Sequence, residues 1–243
     1  MAIAAMVPLV WGGANLAVAA QAATKVPGPT LAQAVTAEKA ALKKATSVHV
    51  IGRAVTKAGA FGIDLRVGTN AIGVLTYSAG TVAIRRIGTG LYLNADDAFF
   101  TGHGHPELIA GYHNKWMLIP SDDAIYATVI PLTRLATWTA VVAAAPTTVL
   151  HRGSSVGGVP SLTLTGGKGP KASVLYVTAK APNLPLAAVS ADKVDHLAFL
   201  GWNRDDPAMS VPTGLVDEPD DTVLDVPTYP EATAKAFSAL WLP

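Results

Sequence analysis

The chain between Thr46 and Trp202 is built largely from short stretches in which apolar residues alternate with polar or small ones. The clearest stretch is Phe61-Gly-Ile-Asp-Leu-Arg-Val67, where every second residue is apolar. Because successive side chains of a strand point to opposite faces, such a stretch has one apolar face and one polar face suited to contact with water. A sheet of such strands must cover its apolar face with helices, a second sheet or a bound apolar molecule.

The spacing of these stretches predicts antiparallel hairpins. Gly or Asn stands at the breaks between the first five, and no helical segment separates them, which argues against a parallel sheet. The first five predicted strands are residues 47–55, 61–67, 71–77, 81–87 and 91–94. After a different middle region, strands are predicted at residues 147–152, 161–165, 173–178, 184–190 and 194–202.

Helical signals precede and interrupt this series. Thr30 and Gln33 have the spacing of a capping box, which predicts a helix that lies with one side on the sheet. Residues 107–112 fit a short helix and residues 115–120 an extended segment. Asp122 or Asp123 can cap a helix, and Pro131 suits the first turn of the next one. That helix is the predicted lid, with one face formed by Leu132, Leu135, Ala136, Thr139 and Val142 beside Trp138.

Composition excludes several classes of function. The net charge is +1, so no basic surface for nucleic acid is expected. The chain has no cysteine, which rules out disulfides, thiolate metal sites and cysteine catalysis. Charged residues make up 14%, against about 25% in typical soluble domains, and the mean hydropathy is +0.36. This excess of apolar residues implies extra apolar surface that must be hidden.

The N-terminal residues predict export. Residues 1–23 carry no charge, and Ala20-Gln-Ala22 is a plausible signal-peptidase site that would cut before Ala23. A positive segment before the apolar stretch is missing, and an uncleaved anchor is the alternative. We therefore predict a signal peptide or anchor at 1–22, a linker at 23–29, one domain at 30–202 and a Pro- and Asp-rich extension at 203–243, with a short helix at 231–241.

No cluster of polar residues predicts catalysis or a metal. His103-Gly-His105 with Glu107 is the most metal-like group, but no third histidine stands at a known spacing and His113 is the nearest. Paired aspartates at 96–97, 122–123 and 205–206 stand at loops or helix starts, where Asp caps backbone donors. We expect no catalytic residue, no metal and no cofactor.

The order of the segments resembles a known family. The residues that carry the resemblance are Ser47-Val-His-Val-Ile-Gly52, Ile63-Asp-Leu-Arg66, Ile87-Gly-Thr-Gly-Leu-Tyr-Leu93, Phe99-Phe100, Lys115-Trp-Met-Leu-Ile-Pro120, Val156-Gly-Gly-Val-Pro-Ser-Leu-Thr-Leu164, Leu175-Tyr-Val177 and Leu184-Pro-Leu186. Over residues 30–202 the chain is similar to actinobacterial envelope proteins of the LppX/LprG type, within the LolA/LolB-like group.

The resemblance implies an α+β fold with a strongly curved antiparallel sheet, a half-barrel with helices packed on its concave side. It also implies an apolar cavity for acyl chains and a role in lipid carriage or envelope assembly. Members of that group carry a lipobox cysteine, which this chain lacks. We therefore expect a protein exported to the cell envelope or the extracellular space without a lipid anchor.

Strand parity supplies the predicted lining of that cavity. The strand residues are Ile63, Leu65, Val74, Ile84 and Leu93, and the helix residues are Leu132, Leu135 and Trp138. The predicted ligand is a lipid or an acylated molecule, bound by a monomer that touches membranes only transiently. A sensor or protein-interaction domain on the same fold is the alternative, and an exported hydrolase is a weaker one.

Overall fold

A single open sheet of twelve strands organises the protein. The computed structural model describes residues 28–56, 59–145, 147–166, 172–190, 196–204, 208–217 and 219. The predicted leader, most of the linker, most of the C-terminal extension with its predicted helix 231–241, and the Asp205–Asp206 pair lie outside these residues. The order of strands across the sheet is β12-β6-β5-β4-β3-β2-β1-β11-β10-β9-β8-β7.

The strands lie close to the predicted stretches. The first six are β1 (Val48–Thr56), β2 (Gly59–Val67), β3 (Ala71–Tyr77), β4 (Gly80–Ile87), β5 (Gly90–Ala95) and β6 (Met117–Ile119). The others are β7 (Val149–Val156), β8 (Val159–Gly166), β9 (Ser173–Thr178), β10 (Pro185–Val189), β11 (His196–Leu200) and β12 (Val216–Asp217). Strand β1 lies in the middle and pairs antiparallel with both β2 and β11, so it joins the two halves of the sheet.

The parallel pair in the described part of the sheet was not predicted. Strand β12 belongs to the Pro- and Asp-rich C-terminal region, yet Val216 and Asp217 lie beside Met117 and Leu118 in parallel register. The sheet is therefore mixed at one edge and antiparallel elsewhere among the described strands.

Two glycines allow neighbouring strands of the curved sheet to approach closely. A Cβ on Gly52 would lie 2.1 Å from the His196 carbonyl oxygen of β11, and one on Gly73 would lie 1.9 Å from the Asp64 carbonyl oxygen of β2. Any larger residue would push these strands apart, because real Cβ atoms do not approach other atoms so closely.

Helices cover one face of the sheet. They are α1 (Leu31–Lys43), α2 (Asp97–Gly102), α3 (Ile109–Tyr112), α4 (Ala124–Val129) and α5 (Leu135–Ala143). Thr30 caps α1 in the predicted capping box with Gln33. Asp123 caps α4, as one of the two predicted aspartates. The core lies between these helices and the concave face of the sheet.

The helix predicted to start at Pro131 and to form the lid is broken at Arg134, and it belongs to a bent pair of helices that we call the lid. A 3-10 turn (Ile130–Thr133) continues α4, and the chain is extended at Arg134 before α5 begins. The two halves meet at 65°. Among the described residues, no single helix is long and apolar enough to cross a membrane; only this bent pair, taken together, reaches the necessary length and hydropathy.

Candidate functional site

The apolar layer between sheet and helices is the candidate site. Six of the eight predicted lining residues lie together in it and are 3% exposed or less: Ile63, Leu65, Ile84, Leu93, Leu132 and Trp138. Leu135 is half-buried and packs against the same cluster. A side chain beside a water-sized hollow would have accessible surface, so the six side chains pack closely against their neighbours in this conformation.

The parity assigned to Val74 needs correction. In the register of β2 with β3, Val74 lies opposite Asp64 and Gly73 lies opposite Leu65. Val74 is therefore on the outer face of the sheet and is half-buried, whereas its neighbour Leu75 is 1% exposed and belongs to the core. Strand β3 is apolar on both faces, so alternation alone could not identify the inner one.

Arg86 holds the bend of the lid against the sheet. Its Nε and Nη2 donate to the carbonyl oxygen of Thr133 at 3.2 and 3.1 Å. Further bonds of this guanidinium reach the carbonyl oxygens of Gly68 and Thr69, in the turn before β3, and of Gly88, in the turn after β4. A planar guanidinium can serve several acceptors at fixed angles, so Arg86 ties the lid to two turns at once.

Trp138 fixes helix α5, the second half of the lid, by a buried hydrogen bond. Its indole ring is fully buried, and its Nε1 donates to the carbonyl oxygen of Leu132 at 2.7 Å. This carbonyl lies just before the break at Arg134, where helical hydrogen bonding stops. The bond therefore supplies a partner to a backbone group that the bend would otherwise leave unpaired.

Helix α1 is attached to the core differently. Its buried residues are Ala34, Glu38, Ala41 and Leu42, and Leu31 and Val35 pack half-buried against the same core. Glu38 is 3% exposed, and its Oε1 has no hydrogen-bond partner among the described residues. Burial raises the pKa of Glu38 to about 7, while Lys39 acts in the opposite direction. A desolvated carboxyl without a partner weakens the packing of this helix.

The two ends of α1 are tethered by polar contacts. Before the helix, Arg152 on the edge strand β7 donates to the carbonyl oxygens of Gly28 and Pro29 at 3.3 and 2.6 Å. After it, the side-chain oxygen of Asn203 accepts from the backbone N–H of Thr46 at 2.9 Å. These bonds are solvent-exposed and involve residues just before and just after the helix. They position its two ends and do not involve the turns in its middle.

A groove of about 310 Å³ runs between α1 and α5. Its lining residues are Lys39, Leu42 and Lys43 from α1, and Thr139, Ala140 and Ala143 from α5. A second, wide groove lies between the β3–β4 turn and α2 and includes Tyr77, Asp97 and Thr101. None of the eight predicted lining residues borders either groove.

The histidines of the middle region make separate local contacts. His103 Nδ1 is 2.7 Å from the carbonyl oxygen of Phe99, and His105 Nδ1 is 3.0 Å from Glu107 Oε1. His113 Nδ1 is 2.8 Å from Asp97 Oδ1. Within the described ranges, no three His, Asp or Glu side chains are grouped so that they could hold a metal ion.

One aspartate of each described pair caps a helix. Asp96 accepts from the backbone N–H of Phe99 at 2.7 Å and from that of Thr81 at 3.0 Å, which joins α2 to β4. Asp123 accepts from the N–H of Ile125. These are the capping roles that the positions of the aspartates predicted.

Sequence reasoning missed Glu38 and Arg86. A charged residue is not expected on the buried face of a helix, although Glu38 stands four residues after Ala34 and four before Leu42, at the spacing of that face. Nothing in the local sequence distinguishes Arg86 from Arg85, because their partners come from distant turns and from the lid.

A solved structure shares this fold, and a second one is similar at a lower TM-score. The structure of LprF from Mycobacterium bovis is 12% identical with a TM-score of 0.51, covering 76% of this chain and 99% of that one. The structure of the lipoprotein LppX from Mycobacterium tuberculosis is 17% identical with a TM-score of 0.44, covering 73% and 97%. No protein-family model and no curated protein sequence matches the chain. The likeness to LprF confirms, for the fold, the resemblance that the sequence suggested.

Proposed function

We propose that the protein is an exported, monomeric binding protein that holds a lipid or another long apolar ligand between its curved sheet and its helices, for carriage or envelope assembly. The observation that carries this proposal is the unequal attachment of the covering helices. Partly or fully buried hydrogen bonds of Arg86 and Trp138 fasten the bent pair α4–α5.

Helix α1 instead buries two alanines and Leu42, packs Leu31 and Val35 half-buried, and places the unpaired Oε1 of Glu38 in the core. Among the described residues, its remaining hydrogen bonds to the rest of the protein are the solvent-exposed ones at its two ends.

Because the core is closely packed, a ligand must displace a helix in order to enter. Lifting α1 exposes Leu42 fully and Leu31 and Val35 in part, at roughly 1.5–3 kcal/mol for each fully buried side chain. It also returns the Glu38 carboxyl to water. A buried acyl chain gains about 0.8 kcal/mol per methylene, on the order of 10 kcal/mol for a long chain before entropy costs. The gain from burying the chain exceeds the cost of exposing these side chains, and the difference is set against the entropy cost of association. Because α1 lacks, among the described residues, the partly or fully buried hydrogen bonds that hold α4–α5, we propose that α1 moves and that α4–α5 stays.

The ligand-binding surface follows from this movement. We propose that the acyl chain enters where α1 withdraws and extends into the adjoining core, whose side chains repack around it. It would extend toward Ile63, Leu65, Ile84 and Leu93 of the sheet, and the helix residues Leu132, Leu135 and Trp138 would border it on the other side. Val74 is excluded, because it lies on the outer face.

Native mass spectrometry of the purified full chain tests the proposal. We expect additional mass that corresponds to co-purified acyl species and is lost on organic extraction. An apo mass, together with no uptake of an added long-chain probe, would contradict the binding function and would favour a sensor or protein-interaction domain. Turnover of ester or glycoside substrates would contradict it in favour of a hydrolase.

A reversible cross-link tests the moving helix. The chain has no cysteine, so Lys43→Cys with Ala140→Cys introduces the only two thiols, one on each side of the groove. A thiol-cleavable bifunctional reagent between them should abolish uptake of dodecanol, and reduction should restore it. The unlinked double variant is the matched control. Unchanged uptake in the linked protein would show that α1 need not move.

A further inference from the structure

The groove between α1 and α5 has an uneven distribution of charge. Lys39 and Lys43 are exposed and stand four residues apart on α1, which places them on one side of that helix. Helix α5 contributes no ionisable residue along Leu135–Ala143. Among the described residues, no carboxylate oxygen lies within 4.0 Å of either ammonium group.

Glu38 is the acidic neighbour on α1, and it faces the other way. Its side chain is on the buried face of α1 and does not line the groove. Burial favours the neutral form of its carboxyl, which further limits how far it can compensate the two lysines. The groove is therefore positively charged along the α1 side.

The rest of the groove lining is mostly apolar. It is formed by Leu42, Ala140, Ala143 and Thr139, and the small side chains of α5 leave the space open. Small-molecule sites typically span about 300–1,000 Å³, so a groove of about 310 Å³ suits one alkyl chain with a compact head group. The groove borders α1, the helix that we propose to move. The polar end of a bound ligand would therefore lie in this groove, close to solvent.

We propose that this groove binds the carboxylate head group of a single-chain fatty acid, with Lys39 and Lys43 as its charge partners and the tail directed between α1 and α5. The inference rests on the proposed binding function and adds the charge of the head group. Exposed ion pairs contribute about 0.2–1 kcal/mol each. Two such pairs predict a preference of roughly 2- to 30-fold for the acid over an uncharged analogue.

The experiment compares dodecanoate with dodecanol, below their aggregation limits, by titration calorimetry on the full chain. We expect dodecanoate to bind more tightly by the stated factor, and the difference to shrink as salt concentration rises. In the variant with Lys39→Gln and Lys43→Gln, the two probes should bind equally. Lys44→Gln is the matched control, because Lys44 is an exposed lysine of the same helix end that does not line the groove. Thermal melts confirm folding of each variant.

The outcomes separate this inference from the function on which it rests. Equal binding of both probes to the wild-type chain would overturn the charge selectivity and leave apolar binding intact. Binding of neither probe would overturn both. A third outcome is that the wild-type chain does not bind monomeric dodecanoate but sediments with vesicles of anionic phospholipid, and that the double substitution abolishes this sedimentation. This outcome would show that the two lysines contact membranes, and it would overturn the fatty-acid site.

Discussion

Replacing Glu38 by Gln should remove a pH-dependent loss of stability. Glu38 is buried on α1 with an unpaired Oε1, and burial raises its pKa from 4.5 to about 7. Below pH 4.5 the carboxyl is neutral in both the folded and the unfolded chain. Between pH 4.5 and 7 the unfolded chain releases this proton first, so rising pH stabilises the unfolded state and folding becomes weaker.

The size of the effect follows from the shift. A shift of the pKa from 4.5 to about 7 corresponds to roughly 3–4 kcal/mol, because each pKa unit is worth about 1.4 kcal/mol. The wild-type chain should lose this amount relative to Glu38→Gln as pH rises from below 4.5 to above 7. For a domain of this size, each kcal/mol moves the melting temperature by roughly 2–4 °C.

Denaturant unfolding of both proteins at several pH values between 4 and 8 measures the difference. Other carboxyls and histidines titrate in this range too, and the comparison with Glu38→Gln cancels them. Glu107→Gln is the control, since Glu107 is exposed and its pKa is lowered by a hydrogen bond with its own backbone and by His105. It should change the pH profile little. A wild-type minus Glu38→Gln difference that stays constant from pH 4 to 8 would refute the burial of this carboxyl.

Four further substitutions test the packing of the sheet and the lid by denaturant unfolding. Leu75→Ala should cost about 2–5 kcal/mol, as core truncations do, and Val74→Ala clearly less; equal costs would contradict the assigned faces of β3. Trp138→Phe removes the N–H that donates to the Leu132 carbonyl oxygen, so it should lower the free energy of unfolding by about 1–3 kcal/mol. An unchanged stability would argue against this buried hydrogen bond. Arg86→Lys keeps the positive charge but removes the planar guanidinium that donates twice to the Thr133 carbonyl oxygen. It should therefore lower the free energy of unfolding and speed proteolysis near Arg134. Wild-type stability and proteolysis would mean that other residues hold the lid.

The sequence alone determined the features that depend on near neighbours along the chain. Alternation in residues 61–67 and the turn residues between the first strands identified the hairpins, because side-chain period and turn chemistry are local properties. Thr30 and Gln33 marked the start of α1 for the same reason, since a capping box spans four residues. Six of the eight predicted lining residues consequently lie in the deepest part of the core.

Only the tertiary structure decided the features that depend on distant partners. The segment Ala71-Ile-Gly-Val-Leu75 is apolar on both faces, and pairing with β2 selects the face that is buried. The C-terminal region gains a strand only because β6 offers a free edge to Val216. The burial of Glu38 depends on how α1 lies on the sheet and against α5, which no local pattern records. The register of the strands, the pairing at sheet edges and the placement of helices arise from contacts between residues far apart in the chain. Composition and local spacing narrow the possible arrangements, but they do not determine which one forms.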